Sequence, residues 1–301
     1  MCDRQHEHLA RPRGLFENLF SLESEVAIVT GGLGFLGSKY VELIAAAGAK
    51  VGIFDKTNKP HPTAGKLGLI DSFFSVPFWM VDVSVKKDVV QNMKYVADNL
   101  GTPTILINNA GIDSRPDAPA SDNDNGRFED YSEKTWHGVL DSHLTGMFLM
   151  SQEFIRHFRR ARESGKISRD KWGKIVNISS TYGLVSPDQS IYDFRRKDGD
   201  ADYNKPVGYS VAKSGVLNFT RWLAGYCGYH KLNIRVNTLA PGGVREQSQD
   251  WRFVREYEKH TMLGRMANPD DYNGAMLFLV SEASRYMTGS TLVVDGGWTA
   301  L

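Results

Sequence analysis

The chain has 301 residues, enough for one large α/β domain or two small ones with a full apolar core. Its 36 Lys and Arg nearly balance 35 Asp and Glu, which excludes a global field that would recruit nucleic acid or an anionic membrane, so small molecules or other protein chains are the expected partners. Two cysteines, Cys2 and Cys227, make no disulfide framework, no apolar run reaches ~18 residues and the leader lacks a signal-peptide core, so a soluble, unexported, cytoplasmic protein is expected.

Residues 1–24 read as a polar N-terminal extension. It carries His6-Glu7-His8, but no third ligand is spaced nearby, so a tail is the reading and no metal is expected. From residue 25 the pattern sharpens. Val26-Ala-Ile-Val-Thr30 is a continuous apolar run of the kind buried on both faces of a parallel sheet, and it leads into Gly31-Gly32-Leu33-Gly34-Phe35-Leu36-Gly37. A helix to about Ala47, then Gly48, then a second strand over Lys50–Phe54 closed by Asp55, complete a βαβ unit. Within it Gly32-x-Gly34-x-x-Gly37 has a mechanical meaning. The first glycines allow a tight turn whose N–H groups approach a pyrophosphate, Gly37 allows close helix–strand packing, and the helix N-terminus supplies positive potential. Asp55 would accept hydrogen bonds from an adenosine ribose and repel a 2′-phosphate, which favours NAD(H) over NADP(H), although Lys56 next door works against that.

The alternation continues with a third strand over Phe78–Val83, a helix capped by Ser84 and running to about Asn99, and a fourth strand over Thr104–Asn108. A longer helical region, about Ser132 to Glu163, precedes a fifth strand over Lys174–Ser180. The amphipathic segment holding Tyr209 runs to about Tyr229, and Ile234–Leu239 is a sixth strand entering Pro241-Gly242-Gly243. A last helix, near Asp270 to Glu282, leads to Thr291–Gly297. Seven strands joined mostly by helices predict a doubly wound parallel sheet in a three-layer α/β/α sandwich, a single domain over residues 25–301. Two loops are long, Ile112–Tyr131 and Val185–Gly208, and both follow strand ends, where open α/β sheets bind ligands. In the second, Arg195-Arg196-Lys197 could hold an anionic substrate group or form an ordinary solvated loop.

Tyr209-Ser-Val-Ala-Lys213 carries the chemistry. Residues four apart share a helix face, so the ammonium can sit close to the phenol and pull its ionisation down from near ~10 toward the range where it trades a proton with an alcohol. Alone, that spacing is weak, and a solvated helix face is the first reading of it. Its context decides.

Thr30-Gly-Gly-x-Gly-x-x-Gly37, Asn108-Asn109-Ala110-Gly111, Asn177-Ile-Ser-Ser180, Tyr209-x-x-x-Lys213, Pro241-Gly242 and Val294-Asp-Gly-Gly297 stand in the order found in short-chain dehydrogenases/reductases, and the resemblance covers about Val26 to the C-terminus. It implies that Tyr209 is the catalytic acid/base, that Lys213 lowers its pKa and binds nicotinamide ribose, and that Ser180 orients the reacting oxygen. Ser180 as a strand-end hydroxyl serving local backbone is the alternative. It implies cofactor contacts from Gly31, Gly32, Leu33, Gly34, Phe35 and Leu36 in the turn, from Asp55, from Asp82 and Val83 near the adenine, from Asn108 near the adenosine with Asn109, Ala110 and Gly111, and from Pro241, Gly242 and Val244, besides Tyr209 and Lys213. The reaction implied is hydride transfer between a secondary alcohol or ketone and nicotinamide.

Three departures stand out. His143 occupies the position of a family asparagine that connects the lysine to a water chain, and it either serves that relay or packs in the helix. Phe35 stands where the compact branch has glycine, a spacing closer to sugar-nucleotide epimerases and dehydratases. Residues 185–208 look like an insertion over the substrate site. That insertion, with Leu263-Gly-Arg-Met-Ala and Val294-Asp-Gly-Gly-Trp-Thr-Ala300, is similar to oxidoreductases of bacterial surface-sugar and flagellin-glycan pathways, which makes a sugar, sugar phosphate or nucleotide sugar the expected substrate. A non-catalytic NAD-binding sensor and an epimerase or dehydratase are the competing functions. Family members commonly form tetramers through helices matching Ser132–Phe158 and Tyr209–Tyr229, so a homotetramer or homodimer is expected.

Overall fold

The computed structural model describes residues 14–113, 127–197 and 203–300. His6, His8 and Cys2 lie outside them, as does most of the 112–131 loop. The elements follow as α1 (Leu15–Phe20), β1 (Val26–Thr30), α2 (Phe35–Ala46), β2 (Lys50–Asp55), β3 (Phe78–Met80), α3 (Lys86–Asn99), β4 (Ile105–Asn108), α4 (Glu133–Leu140), α5 (Gly146–Glu163), β5 (Gly173–Ile178), α6 (Asp193–Lys197), α7 (Val207–Tyr229), β6 (Ile234–Pro241), α8 (Trp251–Lys259), α9 (Asn273–Val280) and β7 (Thr291–Val294).

All seven strands are parallel, in the order β3-β2-β1-β4-β5-β6-β7. Every residue of β1, β4, β5 and β6 is buried, whereas the edge strands β3 and β7 are partly exposed. This is the doubly wound arrangement the apolar runs predict, because strands covered on both faces have no side to give to water. Strand order reverses between β1 and β4, which opens a crevice at their C-terminal ends.

Alternate side chains build two apolar layers. Ala27 and Val29 pack with Tyr40, Val41 and Ile44 of α2 and with Met276 and Leu279 of α9. Val26 and Ile28 face the other way, toward Met93 of α3, Phe154 and Phe158 of α5, and Leu223 of α7. A third, aromatic cluster stands apart: Tyr182, Ile191, Tyr192 and Tyr203 from the 181–205 region meet Phe253 and Tyr257 of α8 and Trp298.

Several boundaries differ from expectation. β3 stops at Met80; Val81 N–H makes the last bond to β2, donating to Asp55 O at 2.8 Å, and residues 81–83 line the crevice. Ser84 does not cap α3; its hydroxyl donates to Asp82 Oδ1 at 2.6 Å and the helix begins at Lys86. The long helix after Ser132 is two helices joined by a π turn over Asp141–Thr145. α8 was not anticipated at all. Asp250 caps it, accepting from Arg252 N at 2.8 Å, and Phe253, Val254 and Tyr257 form its buried stripe. No helix among the described residues is long and apolar enough to cross a membrane.

Candidate active site at the crevice

The turn after β1 is built for close backbone approach. Gly31 adopts φ +61°, which a side chain disfavours, and Gly34 N–H closes the turn on Gly31 O at 3.1 Å. A Cβ at Gly37 would lie 2.0 Å from Gly31 O and 2.8 Å from Asn109 Nδ2, so only glycine lets α2 start here. Asn109 fixes the same turn from β4, donating from Nδ2 to Thr30 O and Gly31 O, each at 3.1 Å. Thr30 Oγ1 accepts from the N–H groups of Asn109 and Ala110, both at 3.0 Å. The result is a rigid cradle with the N-terminus of a twelve-residue helix opening on a cavity of about 800 Å³. That cradle, which one methyl group would fill, fits a dinucleotide pyrophosphate.

Asp55 lies at the end of β2 on the cavity wall and is 9% exposed; Oδ2 accepts from Leu33 N at 3.1 Å and Oδ1 from Thr57 N at 3.2 Å. Burial raises its pKa, opposed by these N–H groups and Lys56. Asp82 also lines the cavity, its carboxylate held down by the Ser84 hydroxyl and N–H. Leu33, Phe35, Leu36, Val83 and Gly111 line it too. Phe35 packs on His61 with ring centroids 4.8 Å apart. His61 ties the two rims together: its N–H donates to Leu33 O at 2.8 Å, and Nε2 meets Glu246 Oε1, beyond β6, at 3.0 Å. Neither residue was singled out in the sequence.

Two expected cofactor contacts are not on the cavity wall. Gly32 backs onto the sheet, where a Cβ would meet Ile53 at 2.9 Å. Asn108 points into the interior, its Nδ2 donating to Asn177 Oδ1 at 2.8 Å and Ser151 Oγ at 3.2 Å. Asn177 Nδ2 continues to Thr220 Oγ1 at 2.9 Å, so Asn108 begins a buried polar chain that pins α7 against β4 and β5. A strand-end asparagine reads identically in sequence whichever way it points.

At the other end of the cavity Ser180, Tyr209, Lys213 and His143 come together, with Pro241, Gly242 and Val244 on the same wall. Ser180 hydrogen-bonds Tyr209, while Ser180 Oγ also accepts from Tyr182 N at 3.2 Å. Lys213 Nζ stands 5.6 Å from the Tyr209 ring centroid and donates to Ile178 O at 2.9 Å. Burial lowers its pKa to about 8. The phenol moves the opposite way from expectation: burial, with Asp113 adding to it, raises Tyr209 above its ordinary value and outweighs the Ser180 hydrogen bond. His143 meets the Tyr209 ring edge-on at 5.7 Å, and its Nε2 lies 2.9 Å from Ile112 O. A carbonyl only accepts, so Nε2 carries the hydrogen; burial and Lys213 push the imidazole down to about 3, and it is neutral.

The two long loops contribute what the sequence left unnamed. Asp113 and Lys205 form an ion pair beside Tyr209, and Tyr182, Tyr192, Phe253 and Tyr257 make aromatic walls. Arg195 is not on the cavity wall; its guanidinium lies over the Tyr203 ring at 5.2 Å. The side chains of Arg196 and Lys197 lie outside the described residues.

Sheet, cradle and the grouping of Tyr209 with Lys213 define a dinucleotide-fold oxidoreductase. Residues 35–299 match a family model described as enoyl-(acyl carrier protein) reductase. The 2-dehydro-3-deoxy-D-gluconate 5-dehydrogenase of Dickeya dadantii is 33% identical over 289 residues, 94% of this chain and 98% of that protein. A short-chain dehydrogenase of Leptospira borgpetersenii with bound NAD+ superposes with a TM-score of 0.74 at 31% identity, covering 99% of this chain and all of the other. An Agrobacterium tumefaciens structure with bound NADP, assigned provisionally as a 2-deoxy-D-gluconate 3-dehydrogenase, gives a TM-score of 0.70 at 28% identity, covering 94% and 100%. The chain belongs to the short-chain dehydrogenase/reductase family, whose members are NAD(P)-dependent oxidoreductases acting on alcohols and ketones.

Proposed function

We propose that this protein is an NAD-dependent dehydrogenase or ketoreductase for a secondary alcohol or ketone on a sugar or sugar derivative. The observation that carries the reading is the convergence of Ser180, Tyr209, Lys213 and the glycine cradle on one cavity. Bound nicotinamide supplies the hydride acceptor or donor. The protein's own residues hold and move the proton: Ser180 and Tyr209 grip the substrate oxygen, and Tyr209 takes its proton in oxidation or gives it in reduction. Lys213 keeps a positive charge beside the phenol and favours the phenolate during transfer.

Asp55, buried at the far end, favours NAD over NADP because a 2′-phosphate there would meet a carboxylate. Relatives carrying sugar-acid and deoxysugar names support the sugar reading. The unit is read as one catalytic domain over residues 25–301, cytoplasmic, working as a homotetramer or homodimer. Replacing Tyr209 with Phe removes the proton carrier and leaves the ring, so NAD-linked turnover should fall by roughly 10²-fold or more while NADH affinity by fluorescence titration stays near wild type. Full turnover in that variant would remove the proposed acid/base.

A further inference from the structure

The reacting end of the cavity holds an ion pair that the Ser180, Tyr209 and Lys213 set does not require. Lys205 Nζ pairs with Asp113 and stands 4.5 Å from the Tyr209 ring centroid. The partners come from different loops, 92 positions apart; the Lys205 side chain is 6% exposed and Asp113 is 53% exposed. Lys205 is held from behind, its N–H donating to Gln189 Oε1 at 2.8 Å. Asp113 and Lys205 line the same cavity as Tyr209, Lys213 and His143, so the pair lies beside the place where an alcohol would react.

A lone buried ammonium would select an anion. Here the ammonium already faces a carboxylate, and a second negative charge would be repelled by Asp113. What the pair presents is one donor and one acceptor side by side, the complement of an aliphatic hydroxyl, which accepts and donates at once. The aromatic side chains of Tyr182, Tyr192, Phe253 and Tyr257 offer flat apolar surface to the C–H faces of a ring.

We propose that the Lys205–Asp113 pair recognises a hydroxyl on the carbon next to the reacting one, so that the substrate is a vicinal diol in the oxidising direction and an α-hydroxyketone in the reducing direction. The inference rests on Tyr209 as the reacting phenol. The two hydrogens removed in oxidation are those of the reacting carbinol, and the neighbouring hydroxyl keeps its own proton and both hydrogen bonds.

Cyclohexanol, the two cyclohexane-1,2-diols and 2-hydroxycyclohexanecarboxylate test this, by NAD-linked oxidation and by calorimetric titration into NADH-saturated enzyme. One diol should exceed cyclohexanol in kcat/KM and affinity by roughly 10- to 100-fold, and Lys205→Met and Asp113→Asn should each bring that ratio within about threefold of unity. Asp113 is half-exposed, so its variant keeps the test open if the buried lysine cannot be replaced. NADH affinity at the wild-type value would show that the variants fold. A wild-type ratio near one, a ratio unchanged in both variants, or tightest binding of the carboxylate with loss in Lys205→Met would overturn the proposal. Turnover of none of the four with diol-selective binding intact would count against the role of Tyr209 and in favour of the pair.

Discussion

His143 is buried beside Tyr209 and its charge state follows from that burial. A buried imidazole with its pKa near 3 stays neutral throughout the physiological range, so it contributes geometry and not charge. Its ring lies against Gly111, where an added Cβ would come within 2.0 Å, so the glycine after Asn109-Ala110 is demanded by the histidine. The same burial has a thermodynamic sign. The folded-state pKa lies below the unfolded value of 6.5, so the unfolded chain takes the proton first and stability falls as pH drops from about 6.5 toward 3. Urea unfolding of the cofactor-free protein should show a loss from this group of at most about 1.4 kcal/mol per pH unit across that window. His143→Asn should flatten that slope, and an unchanged slope would show that the imidazole charges readily in the folded state.

Elements place these residues, and the sequence disclosed some elements more fully than others. The β1–turn–α2–β2 unit is legible almost to the residue, because a continuous apolar run, glycines in steric contact and a closing carboxylate each have one structural use. Gly37 is the sharpest instance. Gly37→Ala must push α2 away from Gly31 O, and should lower NAD affinity about tenfold or more and destabilise the fold by about 1–3 kcal/mol, as read by titration and unfolding. The expected third strand overruns β3 because Val81 and Val83 are as apolar as strand residues and pack in the core beyond the last bond to β2. α8 is announced in the sequence by Asp250 and the Phe253, Val254, Tyr257 stripe, a short amphipathic signal between the sixth strand and the last helix. Asn108 and the Lys205–Asp113 pair show what pattern cannot supply, since a side chain's direction and a contact 92 residues away are products of tertiary packing.

At the scale of the whole molecule, the helices that cover one face of the sheet have an outer side of their own. On α7, Val216 and Leu223 are buried against the sheet, while Trp222 is 63% and Tyr229 84% exposed, and Trp222 stacks on Tyr226 at 5.5 Å. Phe148 of α5 is also exposed. Such a patch is more apolar than a lone molecule in water needs and suits a second copy of the chain. Trp222→Glu should therefore shift the sedimenting mass to a smaller species without unfolding the domain, and a monomeric wild type would refute the expected assembly.

The contact between His61 and Glu246 links the segment after β2 to the segment after β6, and its anchors are firm: Glu42 of α2 accepts from the N–H groups of Gly65 and Leu67, each at 3.0 Å. His61 and Glu246 both line the cavity, so a nucleotide leaving the cradle would have to part this contact, and its opening is expected to govern the residence time. Slow escape would make the first turnover faster than those that follow. Glu246→Gln should quicken NADH departure in stopped-flow fluorescence and abolish a pre-steady-state burst, turning an enzyme that waits on its exit into one that waits on its chemistry.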